Sequence, residues 1–301
     1  ETGGNGAVAE GTIVATNAAC GACETTQAAY DMGYVSGVEA SAIGCNWNFA
    51  PVTDVLLNWR NTIVNTRCFG DEPDTVVRMA KAYMDGVHRH NIACCAKHFP
   101  GDGSEERDQH LVMGCNDLSC EEWDNVYGKV YRELIDSGLE SMMIGHICQP
   151  AYTRRFRPDA SDKDIMPATL SPELLQNLLR EQLGFNGLIV TDASHMAGLT
   201  CSCPRSEQVP GAIAAGCDMF LFFHEPEEDL KYMMDGYRNG VITEERLSDA
   251  LHRILGMKAH LGLYHLEFPD RKGLDMVGCG AHHQYAARAA EEAVTLVKDT
   301  Q

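Results

Sequence analysis

Fourteen consecutive residues, KHFPGDGSEERDQH at positions 97–110, hold two histidines, a lysine and four carboxylates around one proline and two glycines. Asp108 and His110 stand two residues apart. In an extended segment such residues face the same side, so Asp108 can accept a hydrogen bond from one imidazole nitrogen and leave the other free for proton transfer. A histidine held this way is a general acid/base near neutral pH. Lys97 and His98 close an apolar run, and burying a lysine ammonium without a partner is costly, so a cation delivered there points to a ligand. Asp192 likewise ends the run LIVTD. Aspartate is a preferred helix cap, but at a strand tip it is also a nucleophile or a charge stabiliser. Gly101 and Gly103 read as the hinges of a mobile arm, and Glu105, Glu106 and Arg107 as its solvated charges.

The elements that must position these groups are short β-rich runs alternating with helical periodicity. The runs are CNWNFAPV (45–52), IACCAKHF (92–99), SMMIGHI (141–147), GLIVTD (187–192) and DMFLFF (218–223). Helices are predicted over 74–91 and 121–137, from a Ser171-Pro172-Glu173 start to a stop at Gly184, and from Thr243 to near Gly262. Strands spaced this way with near-continuous apolar runs predict a parallel sheet covered by helices. No phosphate-binding glycine motif follows a strand, so no nucleotide cofactor is expected. Asp54, Lys97 with His98, His146 and Asp192 all stand at carboxyl ends of different strands. A β/α barrel builds its active site there, which favours a (β/α)8 barrel over a doubly wound sheet.

Composition narrows the partners. A net charge of −19 repels phosphate backbones and anionic lipid, excluding nucleic acid as a partner, and the apolar runs are too short to span a bilayer, which takes about 20 residues. Thirteen cysteines, an odd and scattered count, fit reduced thiols and a cytoplasmic location. No basic segment followed by an apolar one opens the sequence, so no signal peptide is expected. No metal is expected either: Cys20 and Cys23 form half a zinc knuckle, but Cys201 and Cys203 have the wrong spacing to complete it, and His88-Arg89-His90 reads as a surface pair at a helix end.

Through NFAPVTDV, NTRCFGDEPDTV, KHFPGDGSEERDQH, PATLSPELLQNLLREQLGFNGLIVTDASHM and ITEERLSDALHRILGMKAHLGL, the chain resembles the barrel domain of glycoside hydrolase family 3. Within it, the β-N-acetylglucosaminidase branch is the most similar. The resemblance implies a retaining hydrolase of terminal β-linked N-acetylglucosamine in muropeptides or chitin oligosaccharides. Asp192 is the implied nucleophile, with His110 as acid/base and Asp108 as its partner. Arg67, Lys97, His98, Asp54 and His146 are the implied sugar-binding residues. A small carbohydrate is the substrate, and phosphate is a candidate second acceptor because a neutral imidazole lacks the charge that would repel it. Alternatives are a β-glucosidase or β-xylosidase of the family, or an inactive sugar-binding barrel.

Two departures from the family pattern stand out: Asp102 replaces a histidine between the loop glycines, and Ala193 replaces an aspartate after the nucleophile. Glu1-Thr2-Gly3-Gly4 resembles a segment that follows the first barrel strand, so that strand is expected to be absent from this chain. The barrel is expected over 1–285, with 286–301 starting a linker toward a second domain.

Overall fold

The computed structural model describes residues 1–265 and 269–299. Among them lie seven short strands: β1 (Trp47–Asn48), β2 (Ala93–Phe99), β3 (Gly114–Cys115), β4 (Ser141–Ile144), β5 (Ile147–Cys148), β6 (Leu188–Ala193) and β7 (Met219–Leu221). Five form one curled, all-parallel sheet in the order β1-β2-β4-β6-β7, and β3 pairs with β5 in a separate parallel ladder. All seven residues of β2 are buried, as a parallel sheet covered on both faces requires. Each run read as β-rich in the sequence contains one of these strands.

The fold is therefore α/β with a parallel sheet, as predicted. The described residues do not hydrogen-bond it into a closed ring of eight strands: β1 and β7 are its edges. Ahead of β1 they hold helices and an isolated antiparallel bridge between Gly3 and Ile13. Beyond β1 the chain stays alongside β2, with Val52 bridged to Lys97, which carries Asp54 to the carboxyl end of β2.

Helices follow the expected signals with shifted ends. Pro73 opens Pro73–His88, which buries Val76, Met79, Ala80, Tyr83 and Val87 on one side. It stops short of the predicted 91 because Asn91 takes a positive φ of 52°. The predicted 121–137 helix is a continuous run of Cys120–Trp123, Asp124–Gly128 and Lys129–Asp136, opened by a Ser119/Glu122 capping box. Ser171 Oγ accepts the Leu174 N–H ahead of Glu173–Gln182, and Thr243 caps Glu244–His260. The helix Gly280–Glu292 docks on Gln27–Ala42 through His282 Nδ1 to Glu39 (2.7 Å) and Arg288 to Asp31. No helix of the described residues is long and apolar enough to cross a membrane.

Candidate active site

The carboxyl ends of β2 and β6, with the turn after β4, bring the predicted residues to one rim. Asp54 is fully buried; its Oδ2 lies 2.7 Å from His98 Nδ1, and its Oδ1 accepts the N–H groups of His98 (3.1 Å) and Asp102 (2.8 Å). The other nitrogen of His98, Nε2, lies 3.9 Å from Asp192 Oδ2. His98 thus stands between two carboxylates. Burial alone would lower its pKa, but Asp54 and then Asp192 outweigh burial and raise it. For Asp192 burial works toward protonation, yet His98, with His146, the Ala193 N–H (2.7 Å) and Lys97, holds it below the usual carboxylate range. The strand tip thus carries a largely desolvated anion.

Arg67 and Lys97 meet over the carboxylate of Glu1. Arg67 donates to it from Nε (3.0 Å) and Nη2 (2.8 Å), and Lys97 Nζ lies 2.5 Å away. Burial would raise the Glu1 pKa, but Arg67 and Lys97 keep it well below the carboxylate range. Glu1 was missed as a site residue in the sequence; its only signal was an acid ahead of two glycines. Asp102, in the sequence only a departure from the family pattern, sits buried within the arm. Asn61 Nδ2 (2.8 Å) and Gly103 N (2.6 Å) donate to its Oδ1 and Gln109 Nε2 (3.2 Å) to its Oδ2, while burial and the neighbouring Asp54 push its pKa up to about 6.

The arm differs from the mobile, glycine-hinged loop expected. Gly101 has φ 113°, and a Cβ there would lie 2.2 Å from the Tyr127 ring; Gly103 has φ 103° and would meet the Val55 carbonyl at 2.3 Å. These glycines serve close packing, and beside them Phe99, Trp123 and Tyr131 form an aromatic nest in which Trp123 Nε1 donates to the Pro100 carbonyl (2.7 Å). Tyr127 Oη closes the nest by donating to the Asp102 carbonyl (2.7 Å). Glu105 is not a free solvated charge either: it pairs with Arg107 at 2.5 Å and accepts the Cys115 N–H.

At the far end of the arm the predicted dyad forms. His110 Nδ1 lies 2.7 Å from Asp108 Oδ1, so the proton on Nδ1 faces the carboxylate and Nε2 is left for transfer. The segment is pinned to the loop after β6: Ala197 N donates to the His110 carbonyl (3.0 Å) and Gly198 N to the Gln109 carbonyl (3.0 Å). Buried Gln109 adds a third tie, its Oε1 accepting the His146 N–H (2.9 Å). His146 itself is enclosed. Nε2 donates to the Ala193 carbonyl (3.0 Å), Nδ1 meets Thr169 Oγ1 (2.8 Å), and burial lowers its pKa.

Among the described residues one group of potential metal ligands, His88, Cys94 and Glu140, clusters at the amino ends of β2 and β4, away from Asp192. His88 is not the free surface residue expected: its Nε2 lies 2.9 Å from Glu140 Oε1, while His90 packs half-buried against Tyr34.

Residues 1–257 match the family model described as "Glycosyl hydrolase family 3 N terminal domain". The chain belongs to glycosyl hydrolase family 3. It is 47% identical over 300 residues to a "Beta-N-acetylglucosaminidase/beta-glucosidase" of Cellulomonas fimi, covering 99% of this chain and 53% of that protein. A "Beta-hexosaminidase" of Chromobacterium violaceum is 34% identical over 198 residues, 65% of this chain and 52% of its own. Among solved structures, one described as "Beta-glucoside phosphorylase BglX" superposes with a TM-score of 0.97 at 42% identity, covering 100% of this chain and 55% of its own. A family 3 β-N-acetylglucosaminidase from Paenibacillus gives 0.88 at 28% identity, covering 97% and 54%. This family 3 chain spans about half the length of the relatives it matches.

Proposed function

We propose that the chain forms the catalytic barrel of a retaining glycosidase that releases terminal β-linked N-acetylglucosamine from muropeptides or chitin oligosaccharides. The observation that carries this reading is Asp192, kept anionic at the tip of β6 beside His98, with the His110/Asp108 dyad tied to the loop that follows it. In the proposed reaction Asp192 attacks the anomeric carbon as the glycosidic C–O bond breaks, and His110 Nε2–H gives its proton to the leaving oxygen. The neutral imidazole then takes a proton from water, whose oxygen displaces Asp192. Arg67, Lys97 and His98 hold sugar hydroxyls; Asp54 and His146 act on the sugar through His98 and the β6 tip. The curled sheet is read as part of an eight-stranded barrel over residues 1–285, with 286–301 leading toward a second domain, in a cytoplasmic protein.

Two features support a wider acceptor and substrate range. A neutral imidazole base adds no negative charge against an incoming phosphate, and one similar structure is described as a β-glucoside phosphorylase. The 47% identical relative is named for both N-acetylglucosaminidase and β-glucosidase activity, which favours β-glucosides as a second substrate class. Nitrophenyl glycosides with and without the N-acetyl group, each assayed with and without phosphate, test both. Release of the N-acetyl sugar is expected, with sugar 1-phosphate appearing when phosphate is present. Turnover that survives Asp192→Ala would sink the mechanism.

A further inference from the structure

We propose that Cys115 and Cys148 are a redox pair that a hydroperoxide closes into a disulfide, fixing the far end of the arm that carries His110. The two residues are direct partners in the β3–β5 ladder, held by Gly114 N to His146 O (3.3 Å) and Asn116 N to Cys148 O (2.9 Å). Neighbouring strands run about 4.8 Å apart, inside the Cα separation a disulfide accepts, roughly 4.4–6.8 Å. Their side chains share one small cluster with Met113, Ala160 and Ile165, so both thiols lie on one face of the ladder. Nothing in the proposed glycosidase chemistry uses either.

The pair has the asymmetry of a reacting and a resolving thiol. Cys115 is half-buried and lines an open cavity of about 470 Å³ together with Glu105, Arg107 and Asp117, whereas Cys148 is buried behind it. The Cys148 thiol and, more weakly, Arg107 favour the Cys115 thiolate against burial and the acids around it. The core thiols Cys94, Cys95 and Cys217 are instead held protonated by burial.

In the first step the Cys115 thiolate attacks a peroxide oxygen, the O–O bond breaks, and a sulfenic acid and an alkoxide or hydroxide form. The Cys148 thiol then attacks the sulfenic sulfur, its S–H proton passes to the sulfenic hydroxyl, and the S–O bond breaks to release water. Two thiols lose two electrons, and the peroxide gains them. Because β3 begins four residues after His110 and β5 directly after His146, the bond staples the far end of the arm to the rim. An effect on turnover rests on the glycosidase reading; the bond does not.

The test treats reduced protein with hydrogen peroxide, alkylates it and maps peptides by mass spectrometry. A Cys115–Cys148 linked peptide is expected, together with slower amide hydrogen exchange across 104–113. In Cys148→Ser a sulfenic acid at Cys115 is expected to react with a 1,3-dione probe. Peroxide should lower wild-type turnover by about tenfold or more, reversed by dithiothreitol, and leave Cys115→Ser and Cys148→Ser unaffected. Oxidation confined to the exposed Cys45 and Cys201 would overturn the pairing. A linked peptide with unchanged exchange would overturn the fixing of the arm, whatever the enzyme assay shows.

Discussion

Asp192 and His110 divide the proposed work by charge. In the proposed mechanism the desolvated, anionic Asp192 is the nucleophile, and His110, exposed and paired with Asp108, is the acid/base. His110→Ala is therefore expected to lose roughly 10²–10⁴-fold in kcat/KM on substrates with poor leaving groups. On nitrophenyl glycosides, whose leaving oxygen needs little protonation, the loss should be much smaller; equal losses would argue against the acid role. Asp102 gives a second, independent handle. Its pKa rises from 3.8 to about 6 on folding, so the folded state holds the proton more tightly. Its contribution to stability is fully present below about pH 4 and is lost as pH climbs through about 6. The change is on the order of 3 kcal/mol. Asp102→Asn places an amide N–H against the Gln109 Nε2 donor, a constant cost, but removes the titration. Urea midpoints measured from pH 4 to pH 7 should show the variant gaining steadily on wild type; a constant gap would refute the shift.

At the scale of the element, the arm shows where reading the sequence stopped. The strand tips were legible because an apolar run ending in a charge has few other meanings, and the Asp108/His110 dyad was legible because both partners lie two residues apart. The Asp54–His98–Asp102 contact was not, since Asp54 lies 44 and 48 positions from its two partners and meets them only when the chain after β1 runs beside β2. The glycines were misread for a related reason. A glycine permits a hinge and a close approach equally, and only the Tyr127 ring, from a helix downstream, shows which applies. Gly101→Ala would drive a methyl into that ring from a backbone angle that L residues avoid. It should cost about 2–4 kcal/mol in chemical denaturation, combining overpacking with left-handed backbone strain. A hinge role would instead leave stability nearly unchanged and alter turnover alone.

Across the whole molecule, the proposed chemistry and a buried ion-pair cluster occupy opposite ends of the sheet. Asp192 ends β6 at one rim. At the other, just ahead of β7, the fully buried Asp218 accepts Arg180 Nη2 (2.8 Å) and the Ile189 N–H (2.9 Å) and meets Arg246, with Arg253 Nη1 at 3.7 Å. One carboxylate thereby binds the helices Glu173–Gln182 and Glu244–His260 to the starts of two strands. Arg180 also donates to the carbonyls of Phe185 (2.8 Å) and Gly187 (2.6 Å), so it cannot swing into water without undoing the turn into β6. Asp218→Ala would leave the Arg180 guanidinium, only 8% exposed, without a carboxylate, while Arg246 keeps its pairing with Asp249. Removing one partner of a buried ion pair costs about 3–5 kcal/mol, and salt should restore little because the charges are shielded from solvent. The expected outcome in urea is a large fall in midpoint with kcat of the folded fraction unchanged, the reverse of Asp192→Ala, which should abolish turnover and leave the midpoint close to wild type. Loss of kcat in folded Asp218→Ala would mean that the two rims are coupled through the sheet.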